Sequence, residues 1–295
     1  MNKKEKESWV IHLFFGITSL LMILPLLLVL IASLTDEQSI LANGYSFFPE
    51  KFSLDAYHYL FILDPGVIFR SYGVTIIVTV VGTIVSLLLT AMLAYPLSRT
   101  TLPFRNAFAF FVFFTLLFNG GLVSWYLVYA RFIDLRDTVW ALIIPGLLLN
   151  GFNVLIMRTF FTTTIPPTMI EAAHIDGAGE ARIFAQFVVP LSKPVFATIG
   201  LFNTIAYWND WYNSLVFLSR AKFFSLQYML NMSLLNIQFL SQNSQNTNAA
   251  SLMQSTPQET MRMAMAIIGI GPILLAYPFF QKYFVKGLTI GAIKG

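Results

Sequence analysis

The sequence predicts an all-α polytopic membrane protein: six transmembrane helices, with a cytoplasmic loop of short helices between the fourth and fifth. Three observations carry this. Of 295 residues, 57% are hydrophobic and only 11% charged, against about 25% charged in a soluble domain. The mean hydropathy is +0.70, and six stretches approach the ~20 apolar residues needed to cross ~30 Å of hydrocarbon. Finally, one charged segment, EAAHIDGAG (171–179), lies between Pro166–Pro167 and Pro190 and Pro194.

The spans fall at about 10–34, 72–97, 103–125, 139–160, 194–218 and 261–284, in a single transmembrane domain covering 1–295. The first follows Lys3, Lys4 and Lys6. Its apolar run of about 25 residues exceeds the 7–15 of a cleaved signal region, so it is expected to stay as a transmembrane helix. A short basic turn at 98–102 suits a cytoplasmic hairpin. The third span meets Asn119-Gly120-Gly121 about 16 residues in, or about 24 Å along a helix. The two glycines either end the helix there, leaving 122–133 as an amphipathic external piece, or mark a flexible helix end. Asn150 and Asn153 fall near the middle of the fourth span, and Trp208-Asn209-Asp210-Trp211 in the outer part of the fifth.

Lysine and arginine set the orientation. With a cytoplasmic N-terminus, eleven lie inside and seven outside, the latter including Arg131, Arg136, Arg220 and Lys222. Six spans return the C-terminus to the cytoplasm. The external loop 219–260 has a Gln-, Asn- and Ser-rich section at 241–258. That composition cannot build a core, so the loop is expected to be disordered or ordered by another protein.

Several functions are excluded. There is no cysteine, hence no disulfide, thiolate nucleophile or sulfur metal site. His12, His58 and His174 lie far apart, so no metal site is expected. The net charge of +4 needs no nucleic acid to explain it. Neither HExxH nor GxSxG occurs, and there is no GxxxxGK[ST] phosphate loop. No catalytic residue is expected, and ATP is not bound by that route. A stand-alone secondary transporter would show inverted repeats and buried ionisable residues. No repeat is visible, and Asp210 is the only acidic residue within a span.

The segment 165–193 is the informative one. Pro166 and Pro167 end the fourth span, since proline lacks an N–H and disfavours helix in the residue before it. Thr168 and Glu171 fit a capping box, predicting a helix over about 169–176. Gly177 lies where a left-handed C-terminal turn belongs. Ile183, Phe184, Phe187 and Val188 form an apolar stripe at helical spacing, and Pro190 is expected to end that second helix. The residues alone allow an ordinary interfacial helix or a docking element for a cytoplasmic partner.

Glu171-Ala172-Ala173, then Asp176-Gly177-Ala178, then Val189-Pro190-Leu191 resemble the EAA loop of carbohydrate ABC importer permeases. Val188-Val189 before Pro190 is a conservative departure from the commoner Ile-x-Leu. FNGGLVSWYLVY (118–129) and AYWNDWYNSLVF (206–217) resemble the maltose-type, MalG-like group and its LplC/YtcP-type subgroup, so the resemblance covers essentially the whole chain. It implies that 165–193 is the coupling-helix loop, with Glu171 facing an ATP-binding subunit and Gly177 turning between the two short helices. It also implies an oligosaccharide substrate, a second homologous permease, two ATPase subunits that bind ATP and Mg, and an extracytoplasmic sugar-binding protein, in a bacterial cytoplasmic membrane. An ABC permease for a non-sugar solute remains the alternative.

Polar residues within spans are candidates for a substrate path: Asn150, Asn153, Trp208, Asn209 and Trp211, with Asp210, Asn119, Gly120 and Gly121 structural in the path. The competing reading of the tryptophans is an interfacial aromatic belt. On a regular helix Trp208 and Trp211 share a face, which is expected to meet the cavity or its gate. Asp210, on the opposite side, is expected to bond a neighbouring helix or the partner permease.

Overall fold

A run of about 25 apolar residues with no polar face makes a helix that is hydrophobic all round, and the first element has that character. The computed structural model describes residues 3–63, 65–242 and 257–292. Among them every regular element is helical; the only β feature is an isolated bridge between Thr35 and Phe52. The chain forms two compact units, residues 1–68 with 230–272 and residues 69–229 with 273–295.

In the first unit, α1 (Lys3–Ser33) exposes its large apolar side chains from Trp9 to Leu30. It is followed by α2 (Glu37–Asn43) and α3 (Asp55–Leu63). The N-terminus of the last helix, α15 (Gln258–Ala292), leaves backbone N–H groups without helical partners. Glu37 fills that need: its carboxylate accepts from the N–H groups of Glu259 and Thr260, both at 2.9 Å, and from Thr260 Oγ1 at 2.7 Å. Negative charge at a helix N-terminus also complements the macrodipole.

The second unit contains most of α4 (Pro65–Ser98), then α5 (Arg105–Leu117) and α6 (Gly121–Leu127), which runs on into a π-helical turn at Val128–Phe132. Next come α7 (Trp140–Ile143), α8 (Gly151–Thr164), α9 (Pro167–Ile175) and α10 (Glu180–Ile183). A second π-helical turn (Phe184–Val188) leads to α11 (Val189–Leu191), α12 (Lys193–Trp208) and α13 (Tyr212–Phe217). α14 (Leu226–Gln242) begins in this unit.

Among the described residues three helices are long and apolar enough to cross a membrane unbroken: Ile11–Ser33, Gly66–Ser98 and Gln258–Pro278. Two further pairs qualify only together: Arg105–Leu117 with Gly121–Phe132, bent by 115°, and Glu180–Leu191 with Lys193–Trp208, bent by 81°. The expected fourth span is interrupted, because 144–150 is non-helical between α7 and α8.

The expectation of a loop over 219–260 is corrected in part. It holds the 17-residue α14, because LQYMLNMSLLNIQFLSQ keeps helical spacing of apolar residues, with Leu226, Leu230 and Ile237 buried. Residues 243–256, which make up most of the polar section, lie outside the described residues.

Packing in the second unit centres on two clusters. One joins Ala91, Ala94 and Leu97 of α4 to Val154, Met157 and Phe161 of α8, and to Ile170, Ala173, Ile183, Val188, Val195 and Ile199. The other gathers Val78, Ala141, Leu142, Ile143, Tyr207, Phe217 and Leu218. Gly82 makes the second possible: a Cβ there would meet the Tyr207 ring at 2.6–2.8 Å. Small residues at helix contacts allow this kind of approach within membranes.

Candidate functional site

The segment singled out by the sequence folds as two short helices at the end of α8. Pro166 has extended backbone (φ −65°, ψ 133°) and Pro167 opens α9. The expected capping box does not form: no side chain caps this terminus, and Thr168 lies inside the helix. Proline at the first helical position starts the helix two residues early, because its fixed φ already suits it and its missing N–H is an orphan there anyway.

Gly177 adopts φ +78°. Ala178 N–H bonds to Ala173 O and Gly177 N–H to His174 O, both at 2.9 Å. These are the two bonds of a Schellman ending, which needs a left-handed residue at this position. The two helices are therefore turned by a defined hinge and not by slack chain.

α9 has two different sides. Ile170 and Ala173 are buried in the α4/α8 cluster. Thr168, Glu171, Ala172 and Asp176 are exposed, and Ile175 is 87% exposed. Three- and four-residue spacing puts Thr168, Glu171, Ala172 and Ile175 along one face. A small, partly apolar face with a single carboxylate stands free in this chain.

Beyond Gly179 the second helix departs from expectation. Pro190 does not end it; the helix passes through a π turn and continues to Leu191 before Ser192 breaks it. Proline removes a helical hydrogen bond, and the wider π turn just ahead is the kind of distortion that accompanies such a residue.

Sequence reasoning missed a polar network on this loop. Tyr95 and Arg99, four residues apart at the end of α4, present one face. The Tyr95 hydroxyl donates to Glu180 Oε2, and Arg99 Nη2 donates to Tyr95 Oη at 2.9 Å. Arg99 Nη2 also lies 3.6 Å from Glu180 Oε2, while His174 Nε2 bonds Glu180 Oε1 at 3.1 Å. The Tyr95 hydroxyl, with Arg99 and His174 adding to it, holds the Glu180 carboxyl below the usual carboxylate range. Tyr95 lies 85 residues away and Arg99 beside it on the same helix, so no local pattern announces these two partners.

At the other end of the same unit the helices break again. α5 stops at Leu117, and Asn119 Oδ1 accepts from Gly121 N–H at 2.9 Å with Gly121 at φ +80°. The early ending and separate following helix agree with the first of the two readings of Asn119-Gly120-Gly121. Asn150 is exposed and caps α8, accepting from Phe152 N–H at 2.9 Å. Asn153 is buried: its Nδ2 donates to Asn203 Oδ1, and Asn203 Nδ2 donates to Ser86 Oγ, both at 2.9 Å. Ser86, Asn153 and Asn203 thus tie α4, α8 and α12 together. The sequence offered no signal for Asn203 beyond its polarity inside an apolar helix.

The regular helix assumed through 208–211 is absent. α12 ends at Trp208, and 209–211 are non-helical. The shared face of Trp208 and Trp211 disappears with it. Trp208 is 5% exposed, with its ring 6.4 Å from that of Tyr72, whereas Trp211 is 40% exposed. Asn209 is exposed and donates back to Ile205 O. Asp210 does not reach a neighbouring helix through Oδ1; that atom accepts from the N–H groups of Tyr212 and Asn213 at 3.1 and 3.2 Å. The start of α13 supplies unpaired N–H groups next to it, and a local cap wins over a distant bond. Tyr212 stacks on Trp125, with ring centroids 6.0 Å apart. Among the described residues no group of His, Cys, Asp and Glu could hold a metal ion.

Among the described residues, three helices long and apolar enough to cross a membrane, with two further bent pairs, define the class as a polytopic helical membrane protein. No protein-family model matches the chain. Two proteins of Bacillus subtilis (strain 168) match it nearly end to end. The polygalacturonan/rhamnogalacturonan transport system permease protein YtcP is 36% identical over 293 residues, 99% of this chain and 100% of that one. Protein LplC is 38% identical over 284 residues, 96% of this chain and 93% of that one. A solved structure, a bacterial ABC transporter involved in the import of the acidic polysaccharide alginate, aligns with TM-score 0.79 and 28% identity over 96% of this chain and 99% of that chain. The chain belongs to the family of permease subunits of sugar ABC importers.

Proposed function

We propose that this chain is a six-span permease subunit that couples ATP hydrolysis by separate ATPase subunits to oligosaccharide import across a bacterial cytoplasmic membrane. Both of its termini are cytoplasmic in this reading, and α7 and α8 together with the chain between them supply the fourth crossing. It pairs with a second permease, engages two ATP-binding subunits that carry ATP and Mg, and receives sugar from an extracytoplasmic binding protein.

The observation that carries the reading is the exposed face of α9, Thr168–Glu171–Ala172–Ile175, beside the hinge at Gly177. Small side chains let another backbone approach, the free carboxylate offers one charged contact, and an exposed isoleucine has reason to be covered. α9 sits rigidly on α4 and α8 through Ile170 and Ala173. A push on its outer face therefore moves the ends of those helices as a body. Loss of ATPase assembly or uptake in Glu171→Lys, in protein that still inserts, is the expected result. Full sugar-stimulated ATP hydrolysis in that variant would refute the assignment.

Acidic oligosaccharides fit best as substrate. Relatives import or are named for polygalacturonan, rhamnogalacturonan and alginate. In this chain Arg131, at the end of the π-helical turn, and Arg136, Arg220 and Lys222 are exposed on two segments that Asp137 joins, accepting from the N–H groups of Ser219 and Arg220 at 2.6 and 3.0 Å. Trp211, Tyr212 and Trp125 lie on the elements next to these loops and suit sugar rings. A transport screen of uronate against neutral oligomers decides between the two classes.

A further inference from the structure

We propose that Glu180 is a positioning residue for coupling: its carboxylate bridges the two short helices to the end of α4 and fixes the angle at which α9 is held. This rests on the coupling reading of 165–193. The bridge is two-sided. Oε2 takes the Tyr95 hydroxyl and faces Arg99 on α4, while Oε1 takes His174 on α9. Glu180 itself is the first residue of α10, so one side chain meets three helices.

The surroundings separate this bridge from ordinary packing. A cavity of about 160 Å³ lies on one side, lined by Phe161, Ile170, Glu171 and His174 together with bridge residues. A wider recess of about 530 Å³ lies on the other, lined by Met92, Leu102, Ala181 and Phe184 with the same bridge residues. Tyr95, Arg99, Thr101 and Glu180 line both. Both recesses open to the outside and the Glu180 side chain is exposed, so the separation there is held by directional bonds to its carboxylate and not by close packing around it. Arg99 is also set by its own helix, with its guanidinium 4.8 Å from the Tyr95 ring centre. The remaining tie between the α4 terminus and α8, Arg158 Nε to Leu97 O at 3.0 Å, does not reach the short helices.

The apolar cluster packs 165–193 against α4, α8 and α12. The Glu180 bridge adds directional bonds to the end of α4. The cluster resists separation, whereas the directional bonds to one carboxylate resist rotation. Losing the bridge therefore leaves α9 attached but free to tilt, and ATPase motion is spent without being passed on.

The test uses the complete transporter, with both permeases and both ATPase subunits, in proteoliposomes with its binding protein. Sugar imported per ATP hydrolysed is the readout. Glu180→Ala removes charge-assisted bonds, and a fall of about tenfold in that ratio is expected, with hydrolysis largely retained. Glu180→Gln, which still accepts from Tyr95 and donates to His174, should stay within about threefold of the parent. Tyr95→Phe, which takes away a single hydroxyl, should fall between them and carries the test if Glu180→Ala does not assemble. An unchanged ratio in Glu180→Ala and Tyr95→Phe overturns the proposal, as does a parallel loss of import and hydrolysis together with a lowered thermal midpoint. Glu171→Lys run alongside separates the two levels. Normal assembly there refutes the docking face itself, whereas lost assembly there with an unchanged ratio at position 180 refutes only the bridge.

Discussion

The two ends of the second unit break their helices in different ways. At the end that carries 165–193 the breaks are made by backbone chemistry: Pro167 opens α9, Gly177 closes it in a left-handed turn, and Ser192 parts α11 from α12. At the other end the breaks are closed by side chains. Asn119, Asn150 and Asp210 each accept from N–H groups just ahead of them. Two freed carbonyls are met as well, Ile143 O by the Tyr207 hydroxyl at 2.9 Å and Pro145 O by Asn213 Nδ2 at 3.1 Å. Side-chain closure keeps these backbone groups on partners within the protein; at the other end Glu171 and Asp176 are exposed, and Glu180 bonds Tyr95 and His174 instead of capping a break.

Substitutions can break that contrast, and the largest effect is expected where there is no room. Gly82→Ala drives a methyl into the Tyr207 ring and pulls its hydroxyl from Ile143 O. A loss of about 1–3 kcal/mol is expected, read as a lower thermal midpoint of the purified complex. Asn203→Ala comes next. It leaves the buried Asn153 amide and Ser86 without their shared partner, at a cost of about 1–2 kcal/mol by the standards of bonds within membranes. The same measurement checks it, and Asn203→Asp should be worse than Asn203→Ala.

Gly177→Ala is the milder counterpart at the end that carries 165–193. Nothing lies within 4 Å of a Cβ there, so only the left-handed backbone objects, by roughly 1 kcal/mol. Equal destabilisation by Gly82→Ala and Gly177→Ala would erase the distinction between crowding and conformation.

The smallest effect is a pH response that should be the same at both ends. The Ser219 N–H, first among its causes, holds the Asp137 carboxyl below its ordinary value, as the Tyr95 hydroxyl does for Glu180. A depressed carboxylate contributes stability that is complete above its unfolded pKa, about 4, and fades as pH falls through the lower folded value. Thermal midpoints should therefore hold steady from neutrality to about pH 5 and fall below about pH 4. Asp137→Asn, which tolerates the positive φ of 55°, should remove its share of that fall.

The same contrast sorts what the sequence disclosed. Prolines and glycines act locally, so the end of the fourth span at Pro166-Pro167 and the turn at Gly177 are legible one residue at a time, while Asn119-Gly120-Gly121 left a break and a flexible helix end both open. The capping box was misread because Pro167 starts the helix before Thr168 can cap it. The break at 209–211 was missed because a run through Trp208 and Trp211 satisfies helical periodicity until Asp210 offers the next turn a cap. α14 was hidden by a polar neighbourhood that outweighed its own spacing. The Ser86–Asn153–Asn203 ties and the Glu180 bridge join residues 50 to 117 positions apart, a relation no local pattern encodes.

Both π-helical turns, Val128–Phe132 and Phe184–Val188, follow shortly after a short α-helix. Such a turn accommodates one more residue than the α-helical turn it interrupts. The turn at Phe184–Val188 is thus a one-residue insertion inside a helix that continues to Leu191, whereas the turn at Val128–Phe132 ends its helix. A relative lacking a single residue in the former would keep Val189–Leu191 on its present face, while a one-residue deletion within α12 would rotate the remainder of that helix by about 100°.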